Sequence, residues 1–580
     1  MFRLAAFLKP YKKECIIGPA AKLFEAILEL LLPTMMAFII NRGVKMHDTS
    51  YVLKMGGLML LMSIMGFASS MICQYYAART SQGFGTTLRN AVFEHISSLS
   101  YAEIDGFGTP TLINRITNDV NQLQLAVAML IRLVIRAPFI CVGAIIMAML
   151  LDFKLSLVLL AATPVFAVIL YFTISRTSPL YGKYQQKLDK LALILRENFS
   201  GVRIIRAFAK TQNEKQRFTT SNDDLTQTAV HAGKISALLS PLTSLVMNAA
   251  IIAILWTGGF HINEGRLSQG EIIAFVNYIT QILLALIVVS NLVIIFTKAY
   301  ASGQRVCEVL AAKTSIPESV NAAEPCETDE AAPFIRFDGV SFGYSATGDK
   351  ALVNISAAID RGETVGIIGG TGSGKSTLIN LIPRFYDVTE GEISVEGVNV
   401  KNYKLDKLRE KIGMVPQKAV LFTGTVGENI RWGNPEASDE EVAAAAKTAQ
   451  VHEFITGLPE GYNSQVSHGG LNFSGGQKQR LTIARALVGK PQLLILDDSS
   501  SALDFATDAA LRQAIRQDGR ELTVIIVSQR ISSITHADKI IVLDDGRVAG
   551  IGTHEELLNH CGVYKEIYLS QTSSEVAANE

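Results

Sequence analysis

Apolar residues in the first 300 positions gather into six stretches, near 15–40, 53–76, 125–150, 155–175, 236–261 and 271–297. Each is long enough to cross a hydrocarbon core of about 30 Å, which takes about 20 helical residues. The polar segments between them differ in charge. Segment 176–235 carries eleven Lys or Arg and the N-terminus adds Arg3, Lys9, Lys12 and Lys13, whereas 41–52 and 262–270 hold only Arg42, Lys45 and Arg266. Basic connections stay on the cytoplasmic side, so both termini are expected in the cytoplasm of a multi-pass protein of the bacterial inner or plasma membrane. The opening MFRLAAFLKPYKKE is short, basic and amphipathic, and reads as an interfacial helix rather than a cleavable signal.

The two inner connections, roughly 77–124 and 176–235, are far longer than a helix hairpin needs and keep a helical period. They predict helices that continue into the cytosol, turning back near TPTLINRITND (109–119) and AFAKTQNEKQRF (207–218). After the sixth stretch, residues 311–333 are polar, acidic and Pro-containing, as an exposed linker is. Beyond it, short β-branched runs (FIRFDGVSF, TVGIIG, LLILD, TVIIVS, KIIVL) alternate with helical patterns, which predicts a largely parallel α/β sheet. The expected layout is an all-α membrane domain of six spans over 1–310, a linker over 311–333, and a cytosolic α/β domain over 334–580.

Composition agrees with that division, since 49% hydrophobic and 18% charged residues is too apolar for a soluble enzyme and too charged for a chain wholly inside the bilayer. With 53 basic residues against 53 acidic, no net charge favours a nucleic-acid partner. The cysteines, Cys15, Cys73, Cys141, Cys307, Cys326 and Cys561, have no metal-ligand spacing and none falls in an outer loop, so they are expected as reduced thiols.

The strongest chemical signal is TVGIIGGTGSGKST, a strand running into Gly369, Gly370, Thr371, Gly372, Ser373, Gly374, Lys375, Ser376 and Thr377 and then into a helix. Glycines let backbone N–H groups close around phosphate oxygens, Lys375 reaches the β- and γ-phosphates of ATP, and the Ser376 hydroxyl ligates Mg²⁺. Asp497, ending the apolar run LLIL, is expected to hold the Mg²⁺ water shell opposite that loop.

A third motif, NFSGGQKQRLTIARAL (472–487), carries a family resemblance. With the phosphate loop, Asp497 and Ser501-Ala-Leu-Asp504, it makes nearly the whole chain resemble the ATP-binding-cassette exporters. The resemblance implies that Tyr344 stacks on adenine, that Gln417 in VPQ reaches the metal, and that Ser501 and Asp504 lie in a dimer-interface loop. It further implies a half-transporter whose cassettes close head to tail on ATP. Ser474, Gly475, Gly476 and Gln477 of one chain would then meet the nucleotide on the other chain's phosphate loop, and the inner turns would act as coupling helices. The required partner is a second half-transporter.

Two positions depart from the family pattern, which has Glu after the Walker-type Asp and His in the later switch strand. Here they are Asp498 and, in VIIVSQR, Gln529. Asp is one methylene shorter than Glu, and general-base chemistry depends on a reach of about 2.6–3.2 Å. Gln can donate a hydrogen bond but cannot become a cation as His can. This chain's own phosphate loop is therefore expected in a slow, degenerate site, while its intact signature serves a competent site on a different chain. That combination resembles one half of the bacterial heterodimeric multidrug exporters. The alternatives are a homodimer with two slow sites, exporting lipid or peptide, and a cassette protein that gates or senses without transporting.

The spans hold a few charges. Glu25 and Glu29, one helical turn apart, are expected to line a translocation pathway suited to a small cationic or amphipathic substrate, with Lys22 beside them. Arg132 and Arg136 are expected to snorkel to the inner headgroups.

Overall fold

The computed structural model describes residues 4–265, 267–317, 333–344, 348–517 and 521–579. Arg3, Arg266, Cys326 and most of the segment expected as a linker at 311–333 lie outside these residues. The chain divides into two compact units, one of residues 1–97 and 108–312, the other of residues 98–107 and 313–580.

The first unit is built on six helical spans: Glu14–Val44, Thr49–Ser98, Thr109–Leu151, Phe153–Ser200, Thr211–Asn263 and Gln269–Ala311. Each contains one of the six apolar stretches and is long and apolar enough to cross a membrane. The second, at 50 residues, is about 75 Å long at 1.5 Å per residue, more than twice the hydrocarbon thickness. Its far end, and those of the other long spans, therefore stand in water. The chain reverses slightly earlier than the sequence suggests. Residues 109–119 open the third span, and the preceding short helix is Tyr101–Phe107; the second reversal carries Val202–Ala207. The reason is local: Gly108 takes φ +76° and Pro110 sits in the first turn of the following helix, so GFGTP marks a helix start.

Small residues let the spans approach closely. Ala26, Ala144, Ala148 and Ala274 are fully buried among Phe166, Ile254, Phe275 and Ile279. At Gly270 a side chain would lie 2.4 Å from the Ala37 carbonyl, and the Gly270 N–H donates to Asn41 Oδ1 at 3.0 Å. Leu60, Phe67, Ile252 and Trp256 face outward, as a lipid-facing surface requires. Near the start of the third span and the end of the sixth, buried Asp119 takes both Arg305 and Arg115, and Arg115 also reaches Glu308 at 3.3 Å.

The second unit contains two principal sheets and a short antiparallel pair of β7 (Gly424–Thr425) with β8 (Gln465–Val466). One joins β1 (Ile335–Phe342), β2 (Leu352–Ile359), β4 (Glu390–Val395) and β5 (Val398–Asn399) in the order 2-1-4-5, all antiparallel. The other joins β3 (Thr364–Gly369), β6 (Ile412–Val415), β9 (Leu493–Asp497), β10 (Thr523–Val527), β11 (Lys539–Asp544) and β12 (Arg547–Gly552) in the order 12-11-3-10-9-6. Only β12 runs antiparallel there. FIRFDGVSF thus belongs to the antiparallel sheet rather than the parallel one. β9 and β10 are buried at every position, which is why they read as unbroken apolar runs rather than alternating ones. The helix Tyr101–Phe107 packs in this unit. Tyr101 lies 4.7 Å from the Phe385 ring, and Asp105 accepts a 2.8 Å hydrogen bond from the Tyr386 hydroxyl.

Candidate nucleotide site

β3 ends at Gly369, and the turn that follows can exist only with glycine at three places. At Gly369 a side chain would lie 2.1 Å from the Leu543 carbonyl; Gly372 and Gly374 take φ +85° and +94°. The helix Lys375–Leu381 starts immediately after. Its first residue folds back, so that Lys375 Nζ donates to the carbonyls of Gly369 and Gly370 at 2.9 and 2.7 Å. Burial pushes the Lys375 ammonium pKa down, opposed by the nearby charges of Asp498 and Asp497.

Ser376, one residue on, donates to Asp497 Oδ1 at 3.1 Å, so the end of β9 meets the start of the helix. Burial raises the Asp497 pKa, and the Ser376 hydrogen bond and Lys375 oppose it. Tyr344, Gly372, Gly374, Lys375, Thr377 and Gln417 line a single pocket of about 330 Å³ with Ser376, Asp497, Asp498 and Gln529. Tyr344 is exposed at its mouth, its hydroxyl 3.0 Å from Thr377 Oγ1 and its ring edge-on to Tyr386.

Asp498 sits in the left-handed region at φ +47°. Its N–H donates to the Val527 carbonyl at 2.9 Å and its carboxylate accepts from Gln417 Nε2 at 3.3 Å. Three residues on, Ser501 Oγ donates to the Asp498 carbonyl, and Asp504 caps the helix Phe505–Gln517 through the Thr507 N–H.

The signature is a helix N-terminus. Ser474 caps Gly475–Val488, accepting from the Gln477 N–H at 3.3 Å while Gln477 Oε1 accepts from the Ser474 N–H at 2.8 Å. This reciprocal pair satisfies two backbone donors and fixes where the helix begins. Gly476 packs against the Ala502 carbonyl, 2.9 Å from where a side chain would start, whereas Gly475 faces open space. None of residues 474–477 lines the phosphate-loop pocket of this chain.

Two family descriptions match the sequence, "ABC transporter transmembrane region" over residues 15–286 and "ABC transporter" over residues 352–501. The sequence is 38% identical over 574 residues to an uncharacterized ABC transporter ATP-binding protein of Mycobacterium tuberculosis, covering 98% of both chains. The chain belongs to the ABC transporter family. The exporter is also 32% identical to YgaD of Bacillus subtilis, a putative multidrug export ATP-binding/permease protein, over 98% of its own length and 99% of the relative's. Its fold matches the structure of a bacterial Atm1-family ABC exporter with ATP bound, with a TM-score of 0.80 at 25% identity, over 97% of this chain and 99% of that one. It is accordingly a half-transporter with one membrane domain and one nucleotide-binding ATPase domain.

Two groups in the exporter escaped the sequence reading or changed meaning. Gln571, on the last helix, donates to the Gln529 carbonyl at 2.7 Å and accepts from the Ile531 N–H at 2.9 Å, holding the switch segment from both sides. Nothing in its sequence neighbourhood marks it. In the membrane unit, Glu25 is paired with Lys22 at 2.6 Å and Glu29 with Arg136 at 2.6 Å. Arg136 is thus engaged by Glu29, and both carboxylates are already matched by cations of the chain. Cys15, Cys73, Cys141, Cys307 and Cys561 are unpaired thiols.

Proposed function

We propose that the chain is one half of a heterodimeric exporter that moves amphipathic or drug-like compounds out of the cytoplasm or inner leaflet, with both termini cytoplasmic. Its own phosphate loop forms a slow ATP site, and its signature completes the partner's fast one. The observation that carries this reading is Asp498: the short carboxylate at the base position is turned to Gln417, with Gln529 rather than a cationic side chain in the switch strand. An in-line water needs a base within hydrogen-bond reach.

Mg²⁺ fits the pocket, because the Ser376 hydroxyl and Asp497 carboxylate are hard oxygen donors 3.1 Å apart, with Gln417 on the same wall. When bound it neutralises charge on the phosphates. Lys375 orients the phosphates, Tyr344 covers the base, and Ser501 and Asp504 order the loop beside Asp498. From the other face, Ser474 and the N–H groups of Gly475 and Gly476 offer donors at a helix N-terminus to the partner's γ-phosphate. Relatives such as YgaD are named putative multidrug export proteins, which supports a drug-like substrate.

Steady-state ATPase of the purified complex tests the asymmetry. Ser474→Ala should reduce turnover about 10²–10³-fold, the typical loss of one preorganised donor, whereas Asp498→Asn should leave most of it. Equal loss in the two variants makes Asp498 a working base and removes the slow-site assignment.

A further inference from the structure

Away from their ends, the first and third spans of the membrane unit carry five charged side chains: Lys22, Glu25, Glu29, Arg132 and Arg136. Four of them form two ion pairs, Lys22 with Glu25 and Arg136 with Glu29, each at 2.6 Å. Lys22 also donates to Ser70 on the second span at 3.2 Å. Arg132 remains. Among the described residues no carboxylate lies within 4.0 Å of it, and its Nε is buried without a hydrogen-bond partner. The Nε of Arg136 and the Oε1 of Gln281 share that condition. The cluster thus holds three cations against two carboxylates.

Its location is defined by its neighbours. Arg132 lies in a π-helical turn, Leu130–Val134, inside the third span. Such turns interrupt the regular hydrogen-bond ladder and recur at functional sites. Ile131 packs there with Cys73 and Ala77, beside Cys15, Ala21 and Val127. Arg132, Lys22 and Glu25 all lie within electrostatic reach of the Cys73 thiol. An uncompensated guanidinium among apolar side chains is costly in a bilayer, and such residues mark substrate or ion pathways. A cationic compound entering here meets carboxylates already neutralised and an arginine that repels it. A carboxylate or phosphate meets a planar donor that can bind it through two parallel hydrogen bonds.

We propose that Arg132 binds the acidic headgroup of an amphipathic anion, which makes acidic rather than cationic amphiphiles the substrate class of this exporter. The inference rests on the exporter reading above, and two separate readouts keep the failure of one distinct from failure of the other. The full-length chain, with its partner, is placed in phosphatidylcholine nanodiscs. Binding of 11-(dansylamino)undecanoic acid, and of a dansyl probe of equal chain length ending in trimethylammonium, is followed by dansyl fluorescence without nucleotide. ATPase stimulation by each probe is measured separately.

The expected result is acid binding about tenfold or more tighter than cation binding, lost by about the same factor in Arg132→Gln and partly retained in Arg132→Lys, which keeps the charge but not the planar fork. The lysine variant guards against misfolding as the cause of a loss. Equal affinity of wild type and Arg132→Gln for the acid, or equal affinity of wild type for the two probes, overturns the assignment. Arg132-dependent binding without stimulated ATPase upholds the site and sinks the transport reading instead. A last arm repeats the assays with phosphatidylglycerol. If that lipid raises wild-type but not Arg132→Gln ATPase while both chains bind the acid alike, the ligand is a bilayer headgroup and the substrate assignment falls.

Discussion

Gln571 anchors two backbone groups of the switch segment with one side-chain amide. Its removal leaves the Gln529 carbonyl and the Ile531 N–H to find water, which loosens the segment that carries the pocket-lining Gln529. In Gln571→Ala, amide exchange over 529–533 should accelerate about tenfold, as expected for a loss of about 1–1.5 kcal/mol. Unchanged exchange would make the contact incidental. Glu396 is a second residue whose partners set its behaviour. Burial alone would raise its pKa, but Lys411 and Arg361 bind the carboxylate and hold it below the ordinary range. A depressed folded-state pKa stabilises the fold above the ordinary carboxylate value of about 4.3, and that stabilisation is lost as pH falls through the folded value. Near neutral pH, Glu396→Gln should therefore lower the melting temperature of the full chain, through a loss on the order of 1 kcal/mol in stability, since Arg361 and Lys411 are partly exposed to water. The gap between variant and wild type should begin to narrow as pH falls below about 4.3 and close only below the depressed folded value; a gap constant with pH would remove Glu396 from the acid response.

Among the elements, the signature helix does two jobs with one hydroxyl. Ser474 accepts the Gln477 N–H and so caps the helix, while its own proton stays available to a donor role across the proposed interface. Losing the cap costs about 1 kcal/mol, which moves a melting temperature by a few degrees at most in a domain of this size. If Ser474→Ala abolishes turnover yet melts nearly as wild type does, the loss is one of chemistry; a collapse of the melt would make it one of folding. The strongest elements were legible in the sequence because their signal is periodic or compositional: six apolar stretches, the buried runs of β9 and β10, and the glycines of the phosphate loop. The helix Tyr101–Phe107 was not, because its partners Phe385 and Tyr386 lie nearly 300 positions away and no local pattern announces them. The ion pairing of Glu25 and Glu29 was half legible. Lys22 stands one turn from Glu25, but Arg136 meets Glu29 only through helix packing.

At the scale of the molecule, each unit carries its own core. Fold class could be read from the chain because each half is internally consistent: small residues and apolar faces in one, alternating strand and helix patterns in the other. What composition could not give is the pairing of charges across spans, which depends on helix rotation and register. The placement of residues 474–477 away from the chain's own phosphate-loop pocket has a genetic consequence. Under the proposed head-to-tail pairing, a chain with Ser474→Ala that folds should still pair and present a sound phosphate loop, occupying partner subunits without serving them. Expressed beside the wild-type gene, it should act as a dominant inhibitor, cutting export in proportion to its share of the pool, whereas a chain truncated before Ile335 should not lower ATPase through a faulty signature. Export measured across a series of expression ratios reads this directly, and a recessive Ser474→Ala allele would place both halves of each catalytic site on one polypeptide.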